Sequence, residues 1–156
     1  MDRLMLLVDK AEAWVHEHPM VWPASLVLLA VATWFSALLI EPRPDQWVYL
    51  FDRQLGDTCA MITLTGQPCP SCGMTRSFAW AARFALQQSF LYNPAGMVLF
   101  WGITAGGVVG AMRLVRRNPN LWSPSGNVVL ATVLGWTLGL YLLPWLLRVA
   151  GINPLP

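Results

Sequence analysis

From Val21 to Ile40 the chain carries no charged residue, and about twenty such positions are what a helix needs to cross the hydrocarbon core of a bilayer. The same pattern recurs from about Pro94 to Met112 and from about Val128 to Leu147, which predicts three transmembrane helices. Ahead of them, Leu4, Leu7, Val8, Ala11, Trp14 and Val15 recur at helical spacing opposite Asp2, Arg3, Asp9, Lys10, Glu12 and Glu17. That division predicts an amphipathic helix over residues 1–19 lying flat in the membrane interface. The apolar run Leu4–Val8 is closed by Asp9 and Lys10 and is too short for a cleavable secretory signal.

Glu41-Pro42-Arg43-Pro44 ends the first span, after which Trp47, Leu50, Phe51 and Leu55 alternate with Gln46, Asp52 and Arg53. This reads as a second short interfacial helix. Thr65-Gly66 reads as a turn, and Met74 to Phe90 as one helix with Arg76, Trp80, Arg83 and Gln87 along a single stripe. Tyr92-Asn93-Pro94 breaks that helix and opens the second span. Ser123 is placed to cap the third span, with Pro124 in its first turn.

Within the second span Gly102, Gly106 and Gly110 repeat every four residues, and in the third Ala131, Gly135 and Gly139 do the same. Small residues on one face let helices approach closely, so the two ladders are expected to meet, with Gly106 and Gly135 at the contact, or else to join two copies of the chain. The expected architecture is an all-α integral membrane protein. It has one membrane domain over residues 20–156, within which residues 45–93 form a segment carrying the cysteines.

Composition supports this: 56% of residues are hydrophobic, 12% are charged and nine are tryptophan. Every carboxylate precedes Cys59, so the six later arginines have no acidic neighbour of their own. With a single lysine, Lys10, and no clustered basic face, nucleic-acid binding is excluded. Membrane lipids are the expected surroundings, with another membrane protein or a second copy as partner. Arg113, Arg116 and Arg117 form a tight juxtamembrane cluster, which favours a cytoplasmic N-terminus and places the cysteine segment outside.

All the dense chemistry lies in Cys59 and Cys69-Pro70-Ser71-Cys72-Gly73-Met74-Thr75-Arg76. Cys59 is expected to converge on Cys69 and Cys72, since the intervening Thr65-Gly66 and Pro68 let the chain double back. Three chemistries are open. The cysteines suit zinc or another thiophilic metal, with Asp57 the nearest fourth ligand. Cys69 and Cys72 at a helix N-terminus near Arg76 suit thiol–disulfide exchange. Two of the three can also form an inert disulfide. Separately, the helix N-terminus after Gly73 with Thr75, Arg76 and Arg83 suits a lipid phosphate, provided that the two arginines share a face. Paired carboxylates, a serine–histidine arrangement and a nucleotide fingerprint are all lacking, so no residue is assigned a catalytic role.

The stretch from Cys59 to Arg76, together with Tyr92-Asn93-Pro94, resembles a family of small bacterial membrane proteins called domain of unknown function 2752. The resemblance runs from Cys59 into the second span and rests on the Cys-Pro-x-Cys-Gly-x-Thr-Arg signature. It implies a helical membrane fold, a bacterial inner-membrane location and no defined activity. The expected function is accordingly a membrane scaffold or partner subunit with a structural three-cysteine site, against a membrane thiol oxidoreductase or a lipid-phosphate-binding protein.

Overall fold

A computed structural model of the chain describes residues 17–43, 48–55, 60–66, 69–119, 121–122 and 124–150. The chain is mostly helical, and three helical stretches are long and apolar enough to cross a membrane: Val21–Leu39, Pro94–Arg116 and Asn127–Leu146. Their large side chains, among them Leu28, Phe35, Val108, Leu130 and Leu138, are exposed, so protein does not cover them and lipid is the solvent that would. The interfacial helix expected over residues 1–19 lies almost wholly outside the described residues.

The first span, α1 (Val21–Leu39), leads directly into a three-stranded antiparallel sheet of β1 (Ile40–Pro42), β2 (Val48–Leu50) and β3 (Arg53–Leu55). The helix expected across Gln46–Leu55 is therefore corrected to a hairpin. Leu50 pairs with Arg53, and the two residues between them, Phe51 and Asp52, both take positive φ (50° and 61°), as a type I′ turn requires. Over so few residues the spacing of apolar positions does not separate helix from strand, and Val48 and Tyr49 favour the strand. Arg43 donates to Glu41 (2.9 Å) and to the turn carboxylate of Asp52, and its guanidinium lies 4.2 Å from the centre of the Tyr49 ring. Pro42, which has no amide to donate, sits on an edge strand.

After α2 (Ala60–Thr65), closed by Gly66 at φ 72°, come α3 (Met74–Ala81) and α4 (Leu86–Tyr92). One helix was expected here; the break has no glycine or proline to announce it. Phe84 adopts φ 58°, its amide bonds to Ala81 O, and the Ala85 amide bonds to Trp80 O, the pattern of a Schellman end with phenylalanine in the left-handed position. That conformation costs a non-glycine residue roughly 1–2 kcal/mol. What holds it is the ring, which packs against Trp34 (6.0 Å) and Trp101 (5.6 Å).

The second span, α5 (Pro94–Arg116), also ends in a Schellman motif, with Arg117 at φ 50° and the Asn118 amide on Arg113 O. The third span is not one regular helix. It consists of α6 (Gly126–Gly135), a π-helical segment (Trp136–Leu142) and α7 (Leu143–Val149). The Leu143 amide reaches back five residues to Leu138 O. Pro144 follows; it has no amide for an α bond and its ring would press on the carbonyl four residues before it, strain that a widened turn relieves. Ser123 lies outside the described residues, and the cap position belongs to Ser125.

The chain forms two compact units, one drawn from Met1–Ala32 and Ile103–Ser123, the other from Thr33–Gly102 and Pro124–Pro156. In the first, a Cβ on Gly107 would collide with Ala30, and one on Gly110 would lie 2.7 Å from Pro23 O. Buried Arg113 donates to Leu121 O (2.8 Å) and Trp122 O (3.0 Å), closing the connection that follows the span. In the second, Ala37, Ala81, Ala82 and Phe100 form the buried core, flanked by Trp34, Phe78 and Trp101.

Among the described residues, a Cβ on Gly102, Gly106, Gly135 or Gly139 would meet nothing within 4 Å. Gly110 is close-packed, but against the first span, with Gly107 rather than Gly106 as its companion.

Candidate functional site

Cys69 to Gly73 form a tight turn leading into α3. The Cys72 amide bonds to Cys69 O (3.0 Å), and the Met74 amide to Ser71 O (3.0 Å). The Cys69 amide points at the Cys72 sulfur (3.2 Å), supplying the kind of donor that a charged or metal-bound sulfur accepts. The two sulfurs are 3.2 Å apart and are not covalently joined to each other. Both cysteines are half-buried. Gly73 has φ 82°, and a Cβ there would lie 2.7 Å from Tyr92 O, so only glycine lets the turn sit this close to the end of α4.

Asn93 holds the turn from behind. Its Nδ2 donates to Pro70 O (3.3 Å) and Cys72 O (3.1 Å), while its Oδ1 accepts the Gly96 amide (2.9 Å) as the N-cap of the second span. The backbone carbonyl of Asn93 accepts from Ser77 Oγ (2.9 Å), and Ser77 and Ser89 exchange further bonds across the α3–α4 pair. Asn93, Ser77 and Ser89 are all buried. A third attachment comes from the last span: Ser71 Oγ and Tyr141 OH are 3.2 Å apart, Tyr141 stacks on Trp136, and Trp136 Nε1 donates to Ala95 O (3.1 Å).

The expected site residues do not all gather here. Cys69 and Cys72 are together; Cys59 and Asp57 lie outside the described residues, among which no group of three or more ligand side chains could hold a metal. Thr75 is exposed on α3, and the Arg76 guanidinium lies 4.7 Å from the centre of the Tyr92 ring. Arg83 stands beyond the end of α3, not seven residues along one helix from Arg76. It donates to Ala37 O (3.3 Å), Leu38 O (3.1 Å) and Ala79 O (2.9 Å), where a cation meets the carbonyl-rich end of the first span. Arg83 is thus held at the end of the first span, and Arg76 lies beside the Tyr92 ring.

Sequence reasoning missed four participants. Asn93 was read as a helix break, although an asparagine before proline is also the signature of an N-cap at a helix start. Ser77 and Ser89 are small hydroxyls on apolar faces, a pattern that marks polar contact between helices. Tyr141 carries no local signal at all.

Residues 59–106 match the family model described as Protein of unknown function (DUF2752). The match covers less than half of the chain, and it is the same stretch over which the sequence resembles that family. The DUF2752 segment contains the cysteine turn, the Ser77–Ser89 pair, Asn93 and the first half of the second span. No curated protein and no solved structure gives a significant match.

Proposed function

We propose that the chain is a multi-pass protein of the bacterial inner membrane that carries a thiol–disulfide exchange centre, Cys69–Cys72, at the extracytoplasmic surface. The observation that carries this reading is the 3.2 Å separation of the two sulfurs on a turn fixed by Asn93. Two thiols held this close need little further ordering to join, and ordering is the main obstacle to closing such a ring. In the exchange, the Cys69 thiolate attacks a disulfide of a partner and releases one partner thiol. Cys72 then attacks Cys69 and releases the second. One disulfide forms as another is cleaved, with two electrons passing to the partner and protons balanced through solvent. Cys59 lies ten positions upstream of Cys69, close enough in the chain to act as a resolving thiol.

Purified protein equilibrated with glutathione buffers of graded ratio, then trapped with a maleimide and weighed, tests the proposal. A reversible loss of two thiols mapping to Cys69 and Cys72 is expected. Stoichiometric bound zinc, or sulfurs that never exchange without unfolding, would replace it with the structural reading, in which the same clamp holds a scaffold's metal knuckle or staple. That second reading is favoured by the Cys69 amide aimed at the Cys72 sulfur, a feature also found where sulfur ligates a metal.

A further inference from the structure

In an α-helix, residues five apart point about 140° away from each other. Trp136 and Tyr141 are five apart, yet their rings stack with centroids 5.4 Å apart and planes 20° from parallel. The π-helical segment Trp136–Leu142 is what permits this, because bonding each amide to the fifth carbonyl back brings residues five apart onto nearly one face. Both side chains then point into the same unit. Trp136 anchors the pair to the first turn of the second span through Ala95 O, and Tyr141 carries its hydroxyl to Ser71. Ser71 stands between the two cysteines, and Cys69 Sγ lies 3.9 Å from its hydroxyl.

We infer that the π-helical segment of the third span is a positioning device for the cysteine pair, acting through the hydroxyl of Tyr141 on Ser71. This rests on the dithiol reading given above. Asn93 holds the carbonyls of Pro70 and Cys72, while Ser71, exposed on the same turn, is met by Tyr141. With Ser71 held, the stretch of backbone separating the two sulfurs is fixed on both sides. With it released, Cys69 can swing away from Cys72, and disulfide closure must first recover that order. Tyr141 is thus a positioning residue for the exchange and not a participant in bond making.

The test sets wild type beside Tyr141→Phe, Ser71→Ala and Ser71→Thr, each in lipid nanodiscs equilibrated with glutathione. Tyr141→Phe keeps the ring and its stack on Trp136, which tryptophan fluorescence and near-UV dichroism verify. Both Tyr141→Phe and Ser71→Ala are expected to shift the equilibrium toward the dithiol by about two- to tenfold, the worth of one hydrogen bond. Combining them should add nothing, since both break the same bond. Ser71→Thr, which keeps the hydroxyl, should restore wild-type behaviour. If Tyr141→Phe matches wild type, or if its effect adds to that of Ser71→Ala, the positioning role is overturned. Ser71 is exposed, so Ser71→Ala carries the test even if the tyrosine variant folds poorly. A wild-type pair that never equilibrates with glutathione instead overturns the dithiol reading itself, and this inference falls with it.

Discussion

Asn93 uses every hydrogen-bonding group it has: amide to Ser89 O, carbonyl to Ser77 Oγ and the Met97 amide, Oδ1 to Gly96, and Nδ2 to two carbonyls of the cysteine turn. Asn93→Asp keeps the cap but turns an acceptor toward Pro70 O and Cys72 O. It should lower stability by about 3 kcal/mol, since buried carbonyls lose their donor and face a carboxylate. Thermal unfolding in detergent measures this, and faster alkylation of Cys69 should accompany it. Gly73→Ala combines a left-handed backbone with a collision at Tyr92 O; about 2–4 kcal/mol is expected, read in the same assay. The capping half of Asn93's role was legible in the Asn-Pro pair. Its grip on the cysteine turn was not, because the partners lie 21 and 23 residues away, and local patterns carry no information on such distances.

Among elements, the three spans were legible because twenty uncharged residues have few other fates in a chain this apolar. The hairpin was not, since Gln46–Leu55 satisfies both periods. Nor was the break at Phe84, where aromatic packing on Trp34 and Trp101 overrides local preference. The glycine ladder was half legible: close packing exists in the second span, but on the face of Gly107 and Gly110. Gly107→Ala should therefore destabilise by about 1–3 kcal/mol through its collision with Ala30, whereas Gly106→Ala, opening onto unoccupied space, should be neutral or slightly stabilising. Equal effects at the two positions would contradict the packing described. Pro144→Ala lets an α-helix run through Trp136–Leu142, so the Trp136–Tyr141 stack should separate and the tryptophan emission change.

Within the second unit, the end of the first span meets Arg83 at Leu38 O, the start of the second meets Trp136 at Ala95 O, and the later part of the third meets the cysteine turn through Tyr141. Three alternating crossings require those parts to share a side, so the contacts agree with the threading read from hydropathy. With the N-terminus inside, a membrane-impermeant maleimide added to intact cells should label Cys69 but not an Asn118→Cys variant lacking native cysteines; the opposite pattern would invert the orientation. The π-helical segment has a further consequence, for tolerance of length. A π turn is an α-helix that has absorbed one extra residue, and removing Gly139 would leave Trp136 and Tyr141 four apart, on one face of a regular α-helix. This single-residue deletion inside an apolar span should be accepted, keeping both the Ala95 and the Ser71 contacts. The same deletion at Thr132, where α6 has no residue to spare, should turn everything beyond it by about 100° and detach the tyrosine from the cysteine turn.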